Sequence, residues 1–499
     1  MKKFPKVLLL FIGLGLLITS CDLDDLIPDK YKPEPPKTAE DYPVQNFMWQ
    51  TMNAYYFWQQ DVPNLADDKF EGIEDPAYVA FLAQDEDPAD FYFDRLLFSE
   101  DRFSFLNEDY KELVQSFQGV SKSNGLQFGL SLFGDENEVF GYVEYIVENS
   151  NASTKDIKRG DLFVTVDGTQ LFFNSADDNN LDLLFEGNDT YTLGLADIVD
   201  NTIVPNDREV TLTKEEGLEE NPILLSKVIE RNQKKIGYIM YNGFVANYDD
   251  ELNEVFTELD GQGVSELILD FRYNPGGRVS SAIQIASAVY GTNTDELFLK
   301  ARYNDKIQSS FTEGQGESNF TDETFDSGTP LTSLELDRVY VITTGGTASA
   351  SELVINGLEP YIDVIQVGTT TVGKNEFSVT FVDDPENDFF YDSERENFIN
   401  PDNQWAIQPL LGRNENADGF SDYTAGLVPD FELREDVANL GVLGDESEPL
   451  LALTLSQIFS ETGKFSFDPV LPVNFVTSSQ LSNTKGSGML MDGLAKADL

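Results

Sequence analysis

The most informative absence in this chain of 499 residues is histidine, which occurs at no position. A serine hydrolase needs a base that takes the proton from the nucleophilic hydroxyl group, and histidine is the usual base. The absence therefore excludes every Ser-His-Asp arrangement. If a serine of this chain is a nucleophile, a lysine amine is the most natural base that remains.

Cysteine and positive charge are also scarce. The single cysteine, Cys21, excludes an internal disulfide bond. Lysine and arginine together number 33 against 89 aspartates and glutamates, so the formal net charge is −56. A field of this sign repels nucleic acid, which we do not expect as a partner. It also stabilises protonated lysine, so a lysine base would need local desolvation.

The first 20 residues have the parts of a secretory signal peptide, namely three lysines followed by an apolar run. The apolar run, Val7 to Ile18, is too short to be a comfortable membrane span. It leads into LITSC, which resembles a bacterial lipobox and predicts lipid attachment to Cys21. Residues 21–45 predict an acidic, proline-containing tether. We therefore expect a lipoprotein of the bacterial cell envelope, on the periplasmic side of the outer membrane or on the cell surface; an ordinary signal peptide with an incidental cysteine is the alternative.

The remaining chain predicts an α/β multidomain protein. Residues 46–117 are aromatic-rich and indicate a helical N-terminal region, whereas residues 118–216 hold short β-type runs separated by turn residues. Residues 221–465 alternate apolar strands with helices, which favours a largely parallel sheet. Residues 466–499 form a C-terminal tail that we expect to fray from about Asn474.

Three motifs follow strands of the α/β region. They are DFRYNPGG at 270–277, TASASE at 347–352 and VGK at 372–374. Open α/β sheets bind ligands at the carboxyl ends of their strands. One helix and one strand separate Ser349 from Lys374, and a right-handed crossover returns the chain beside its starting strand. The spacing therefore predicts that both side chains lie on one rim of the sheet.

Each motif also has a simpler interpretation. Ser349 and Glu352 fit a helix capping box, in which the serine only caps the following helix. Lys374 alone fits a solvated turn, and Asn274 to Gly277 alone fit a tight turn. A serine at a helix N-terminus is nevertheless well placed for catalysis, because the backbone N–H groups there favour an oxyanion.

Together, the motifs FRYNPGG, TASASE and GK resemble those of the carboxyl-terminal processing, or tail-specific, serine peptidases over roughly residues 46–460. The resemblance implies a ClpP/crotonase-like catalytic domain with Ser349 as nucleophile and Lys374 as general base. It places the oxyanion hole at the N–H of Ala350 and one N–H from Gly276 or Gly277. It implies neither a cofactor nor a metal ion.

One position departs from the family pattern. Members of this family place a glutamine four residues after the lysine, where it orients the amine, and this chain has Ser378 there. Ser378 is the possible orienting residue, with a shorter reach.

The middle region resembles the PDZ domain that these peptidases carry, in GLQFGL and IKRGDLFVTVDGTQL. A PDZ domain adds a peptide as a strand and binds its terminal carboxylate on backbone amides. The loop for that carboxylate would be Gly125, Leu126, Gln127 and Phe128. A β-rich spacer that binds nothing is the alternative.

The leading hypothesis is a lipid-anchored serine endopeptidase that hydrolyses extracytoplasmic proteins or peptides through a Ser/Lys dyad. The second hypothesis, which the missing glutamine favours, is a catalytically degenerate lipoprotein that binds peptides. A third is a surface scaffold, supported only by the predicted anchor and the acidity.

Overall fold

The structure of the protein is a computed structural model that describes residues 36–133, 137–176, 178–460, 471, 473–482 and 489–491. The predicted signal peptide, the lipidation site Cys21 and the first part of the predicted tether lie outside these residues. Within the described ranges, no helix is both long and apolar enough to cross a membrane.

The N-terminal region is helical, as its sequence indicates. Three of its helices begin with proline, whose fixed φ suits the first helical position. The first of them starts at Pro43, so the predicted tether ends earlier than residue 45. The elements are α1 (Pro43–Tyr55), α2 (Pro76–Leu82), α3 (Pro88–Phe91), β1 (Phe105–Asn107) and α4 (Tyr110–Phe117), with 3-10 turns at Ala39–Asp41, Gln59–Asp61 and Pro63–Leu65 and a π turn at Tyr92–Leu96.

The middle region is a mostly antiparallel β structure. Apolar residues of its strands form a separate core around Phe128, Phe163 and Leu193. The elements are β2 (Val120–Ser123), β3 (Leu126–Phe133), β4 (Val139–Ile146), β5 (Leu162–Val166), β6 (Thr169–Gln170), β7 (Phe173–Ser175), β8 (Asp178–Asn179), α5 (Asp182–Phe185), β9 (Thr190–Val199), β10 (Thr202–Thr213) and β11 (Glu215–Glu219). The main sheet runs β10-β9-β5-β4-β3, and β11 pairs with β2.

The third region is the predicted α/β unit. Its elements are β12 (Ile223–Arg231), β13 (Lys234–Tyr241), α6 (Asp249–Gln262), β14 (Glu266–Asp270), β15 (Gly277–Arg278), α7 (Val279–Tyr290), β16 (Leu297–Tyr303), α8 (Asp305–Gln308), β17 (Glu317–Asn319), β18 (Arg338–Thr343), α9 (Ala350–Leu358), β19 (Asp363–Gly368), β20 (Glu376–Ser378), β21 (Phe381–Val382), β22 (Ala406–Gln408), β23 (Leu410–Glu415), β24 (Phe431–Glu432) and α10 (Pro449–Ile458), with 3-10 turns at Ala246–Tyr248, Pro385–Asn387 and Ser393–Phe398.

The main sheet of this unit has the order β12-β13-β14-β18-β19-β24. All neighbours from β13 to β24 are parallel, and only β12 pairs antiparallel. Along β13, Ile239 and Tyr241 face a core that contains α6, α7 and α9, whereas Tyr238 and Met240 face the core of α10. Both faces of the sheet are therefore covered, which explains the continuous apolar runs in the sequence.

The N-terminal region packs onto this unit. Phe47 of α1 lies 5.6 Å from Phe389 between ring centroids, and both belong to the main core. Strand β1 pairs antiparallel with β22, where Phe105 is opposite Gln408. The N-terminal region thus shares a core and a small sheet with the α/β unit.

A buried ion-pair cluster joins the middle region to the α/β unit. The guanidinium group of Arg272 is fully buried and contacts Asp270 at 2.7 Å, Glu448 at 2.9 Å and Glu435 at 3.1 Å. Arg159, from the middle region, also contacts Glu435 at 3.0 Å. Each charge in this cluster therefore has an opposite partner, as burial requires.

The described parts of the C-terminal tail are paired with other strands rather than frayed. They form β25 (Val473–Ser478), α11 (Ser479–Ser482) and β26 (Met489–Leu490). Strand β25 pairs antiparallel with β3, and β26 lies between β15 and β20 in a second sheet of order β15-β26-β20-β23-β16-β17. The expectation of fraying was wrong for these residues, because their backbone groups complete sheets whose other strands lie far away in sequence.

Candidate active site

Three loops meet at the carboxyl ends of the parallel strands. The loop after β14 carries Asn274, the loop after β18 carries Ser349, and the loop after β19 carries Lys374. Asn274 connects the first two loops, because its backbone oxygen accepts the N–H of Ala348 at 3.0 Å. Its side-chain Nδ2 donates to the carbonyl oxygen of Tyr241 at 2.8 Å and fixes the loop to β13. The predicted convergence of the three motifs is present.

Ser349 directly precedes α9 in an unusual backbone conformation. Its φ is 62° and its ψ is −114°, a region that non-glycine residues rarely adopt. The residue is fully buried, and its Oγ has no hydrogen-bond partner among the described residues. The side-chain oxygen of a helix cap would accept a backbone N–H of the first turn. Ser349 therefore does not behave as a simple cap; strained backbone of this kind is common at functional sites.

Glu352 holds the serine and lysine loops together. Its Oε2 accepts the backbone N–H of Ser349 at 2.7 Å and that of Lys374 at 2.9 Å. Its Oε1 accepts the N–H of Gly373 at 2.7 Å and the hydroxyl of Thr371. Because a single carboxylate oxygen accepts both N–H groups, Ser349 and Lys374 are spatial neighbours. The capping-box glutamate thus serves as a clamp between two loops.

The Lys374 side chain is buried, with 4% of its surface exposed. Burial lowers the pKa of its amine from 10.5 to about 8, although the charges of Glu376, Asp101 and Glu352 act in the opposite direction. The amine lies 5.0 Å from the centroid of the Phe103 ring. A solvated turn lysine is therefore excluded, and an appreciable fraction of the amine is neutral near pH 8.

The oxyanion prediction needs one correction. The N–H of Gly276 donates to Oδ1 of Asn274 at 2.9 Å, so this N–H already has a partner inside its own turn. Gly277 and Ala350 remain as the two candidate donors, and Ala350 is the first residue of α9, where N–H groups lack intrahelical acceptors. Gly276 has a steric role instead, since a Cβ there would lie 2.6 Å from Cβ of Ser349.

Ser378 does not make the contact expected of an orienting residue. It is buried on β20, yet its Oγ has no hydrogen-bond partner in the part of the chain that the structure describes. Its hydroxyl therefore makes no hydrogen bond to the lysine amine. The amine instead faces Phe103 and the carboxylates named above.

The predicted carboxylate loop lies at the start of β3. The N–H of Gly125 donates to Oγ of Ser123 at 3.0 Å, and that of Leu126 donates to Oδ1 of Asn124 at 3.0 Å. The N–H of Phe128 donates to Oγ of Ser479 at 3.0 Å, and the side chain of Gln127 contacts Glu220. Three of the four backbone donors are therefore occupied by side chains of the protein itself.

One cleft connects this loop to the glycine turn that follows β14. Its volume is about 500 Å³, and its wall includes Leu126, Phe128, Gly276, Gly277 and Leu490. Of the predicted catalytic residues, Gly276 and Gly277 thus border the same space as the predicted carboxylate loop.

The sequence did not point to several residues of the N-terminal region that complete the site. Arg102 donates from Nη2 to the carbonyl oxygen of Gly373 at 2.7 Å and so holds the turn that carries the lysine. Asp101 and Phe103, on either side of it, border the amine. These residues belong to no motif and lie some 270 positions from the turn they support, so no local pattern could identify them.

Fold and site together define a class: an α/β unit whose parallel strand ends present a buried serine and a buried lysine of lowered pKa. The family model "Peptidase family S41" matches residues 235–412, and the model of the peptidase S41 N-terminal domain matches residues 43–105. The chain therefore contains the domains of peptidase family S41.

Curated relatives support this assignment. A carboxyl-terminal-processing protease of Picosynechococcus is 26% identical over 275 residues, which cover 54% of this chain and 58% of that protein. A CtpA-like serine protease of Staphylococcus aureus is 26% identical over 194 residues, which cover 37% of this chain and 36% of that protein. The chain thus spans between about a third and about six-tenths of the length of these relatives.

A solved structure is similar over most of the chain. A crystal structure from Bacteroides fragilis assigned to the S41 proteases superimposes with a TM-score of 0.60 at 25% identity. The similarity covers 83% of this chain and 97% of that one.

Proposed function

We propose that this protein is a serine endopeptidase that hydrolyses peptide bonds of extracytoplasmic proteins or peptides through Ser349 and Lys374. The observation that carries the proposal is a buried lysine whose amine has a pKa lowered to about 8, on a loop that Glu352 connects to the serine loop through backbone N–H groups. An amine in this state can act as a general base near neutral pH, which an exposed lysine cannot do.

The geometry supports a reaction in two stages. Ser349 Oγ attacks the substrate carbonyl carbon while the neutral amine of Lys374 takes the hydroxyl proton. The N–H groups of Ala350 and Gly277 stabilise the resulting oxyanion. The ammonium group then gives its proton to the leaving amine, and an acyl-enzyme forms on Ser349. Water, activated by the same amine, hydrolyses this ester and restores the serine.

The predicted position of the protein in the cell completes the proposal. A lipid on Cys21 would hold the peptidase at the bacterial cell envelope, and the middle region would act as a PDZ-like domain that presents the end of a polypeptide. The support for the PDZ-like role is the cleft that β3 shares with the turn of Gly276 and Gly277. The support for the anchor is the lipobox-like LITSC sequence.

The test compares the wild-type chain with Ser349→Ala in the digestion of an unfolded protein. We expect fragments only from the wild type, together with covalent labelling of Ser349 by a serine-reactive phosphonate. Equal digestion by both proteins would contradict the proposed nucleophile.

The second candidate is a peptide-binding lipoprotein without catalysis. The observation in its favour is Ser378, whose Oγ does not contact the lysine amine. It predicts that neither protein cleaves the substrate, that the phosphonate does not label Ser349, and that peptides bind to both with equal affinity.

A further inference from the structure

The C-terminal tail covers an edge of the middle sheet. Strand β25 pairs antiparallel with β3, from Val473 opposite Phe133 to Ser478 opposite Gly129. Without β25, β3 would be an edge strand with unpaired N–H and C=O groups, and such an edge accepts an added peptide strand. The tail therefore occupies a position that an extended peptide from outside could also take.

The next residues of the tail continue to the predicted carboxylate loop. Oγ of Ser479 accepts the N–H of Phe128 at 3.0 Å and donates to Oε1 of Gln127 at 2.5 Å. Gln480 donates from Nε2 to the hydroxyl of Tyr145 on β4. The tail thus supplies an oxygen acceptor to the loop, as the end of a bound peptide would.

The last described segment, residues 489–491, lies between strands β15 and β20. In β26, Met489 is opposite Gly277 and Leu490 is opposite both Arg278 and Ser378. The N–H of Met491 donates to the carbonyl oxygen of Ser378 at 3.0 Å. Gly277 carries a candidate N–H donor for the oxyanion. Ser378 lies on β20, four residues after Lys374. The segment therefore pairs on one side with the strand of the candidate oxyanion glycine and on the other side with the strand that follows the lysine turn.

The side chains of this segment are buried. Met489, Leu490 and Met491 are at most 2% exposed. Met489 and Met491 join the main core, whereas Leu490 packs in a cluster with Phe105 and other apolar residues. Ser349 is also fully buried, so a substrate cannot reach its hydroxyl in this arrangement.

We propose that residues 473–482 and 489–491 occupy, within the same chain, the path that a substrate peptide takes, and that they must leave before a substrate binds. This inference rests on the proposed function. Strands β3, β15 and β20 contact the tail through backbone pairing, which another extended peptide can reproduce. Met489, Leu490 and Met491 lie in apolar surroundings. A substrate that replaces them is therefore an extended segment with unbranched or γ-branched apolar side chains.

Binding of a fluorescent peptide with the sequence of residues 473–491 tests the inference in a chain that cannot cleave it. The experiment compares Ser349→Ala with Ser349→Ala/Leu490→Asp, in which a buried carboxylate expels β26. We expect the double variant to bind the peptide at least about tenfold more tightly, because the tail no longer competes and the binding-competent fraction rises. Met491→Pro, which removes the N–H donated to Ser378, should have the same effect.

Val442→Asp is the matched control, since it adds the same charge at an apolar residue that is 71% exposed. It should leave the affinity of Ser349→Ala unchanged. Equal affinity of the tail variants and Ser349→Ala would overturn the inference and identify the tail as a permanent structural strand.

Hydrogen–deuterium exchange gives a second measurement that needs no change in the tail. Excess peptide should accelerate exchange of the amides of residues 489–491 in Ser349→Ala, because the tail is displaced. Unchanged exchange under saturating peptide would also overturn the inference. Both measurements use binding rather than catalysis, so a failure of the tail inference is separate from a failure of Ser349 to cleave or to be labelled.

Discussion

Two buried cationic centres of the α/β unit, Arg272 and Lys374, differ in how their charge is compensated. Arg272 contacts three carboxylates within 3.1 Å, and these charges raise the pKa of its guanidinium group well above its usual value despite burial. At Lys374, burial outweighs the nearby carboxylates and lowers the pKa to about 8. The first centre keeps its charge at every working pH and holds regions together. The second can lose its proton, which a base requires.

Substitution of Lys374 by methionine should have the largest effect. Without the amine, peptide hydrolysis should fall by roughly 10²- to 10⁴-fold. The free energy of unfolding at pH 7 should rise by about 3 kcal/mol, because the folded protein no longer holds an unfavourable buried charge. That penalty is complete below about pH 8 and disappears towards pH 10.5, the ordinary value for lysine. Hydrolysis assays and urea denaturation at two pH values measure both effects.

Lys374→Arg is the control for this prediction. It keeps a permanent charge, so it should be inactive without the gain in stability. Hydrolysis by either variant at the wild-type rate would show that Lys374 is not the base.

Replacement of Arg272 by leucine should reveal the opposite behaviour. Three carboxylates would remain near a buried site without their common partner, and we expect the free energy of unfolding to fall by about 3–5 kcal/mol. Chemical denaturation measures the change. Arg208→Leu is the matched control because its pair with Asp156 is exposed, and it should cost less than about 1 kcal/mol. Equal losses would mean that the buried cluster is not a stabilising joint.

Glu352→Gln should weaken the clamp between the serine and lysine loops. Each oxygen of Glu352 accepts two donors, so the amide NH₂ of glutamine would face two hydrogens whichever way it is turned. We expect hydrolysis to fall by up to about 10²-fold through misplacement of the reacting groups. The midpoint of the pH profile should also move down, since the Glu352 charge raises the pKa of Lys374.

Glu359→Gln, an exposed change just beyond the end of the same helix, should leave both rate and midpoint unchanged. An upward shift of the midpoint in Glu352→Gln would contradict the assigned electrostatic role.

The last prediction needs no substitution and concerns the pH dependence of the wild-type protein. The value of kcat/KM should rise with pH and level off above a midpoint of about 8, with a tenfold loss for each pH unit well below it. A flat profile between pH 6 and 9 would mean that the amine does not titrate as the base.

Much of the fold could be predicted because its signals are local. The apolar runs of β13, β14, β18 and β19 indicated strands covered on both faces, and the helices between them required a parallel sheet. The positions of Ser349 and Lys374 after neighbouring strands then followed from the handedness of the crossover.

Other features depend on contacts between distant segments. The sequence does not distinguish Gly276 from Gly277 as the oxyanion donor. The tertiary structure does, because the Asn274 side chain accepts the N–H of Gly276. Strand β26 comprises two residues in a tail rich in serine and glycine, so no periodicity could predict it. Its pairing depends on β15 and β20, more than a hundred residues earlier.

The sequence alone limited the kind of chemistry open to this protein: with no histidine in the chain, an amine is the most natural base for a serine nucleophile. It also determined that this serine and lysine follow adjacent strands, since short stretches of sequence indicate each strand and helix and the crossover between parallel strands is right-handed. Only the tertiary structure decided whether the amine could serve as a base. Its pKa depends on burial and on carboxylates from three separate segments, and such an environment exists only once the chain is folded.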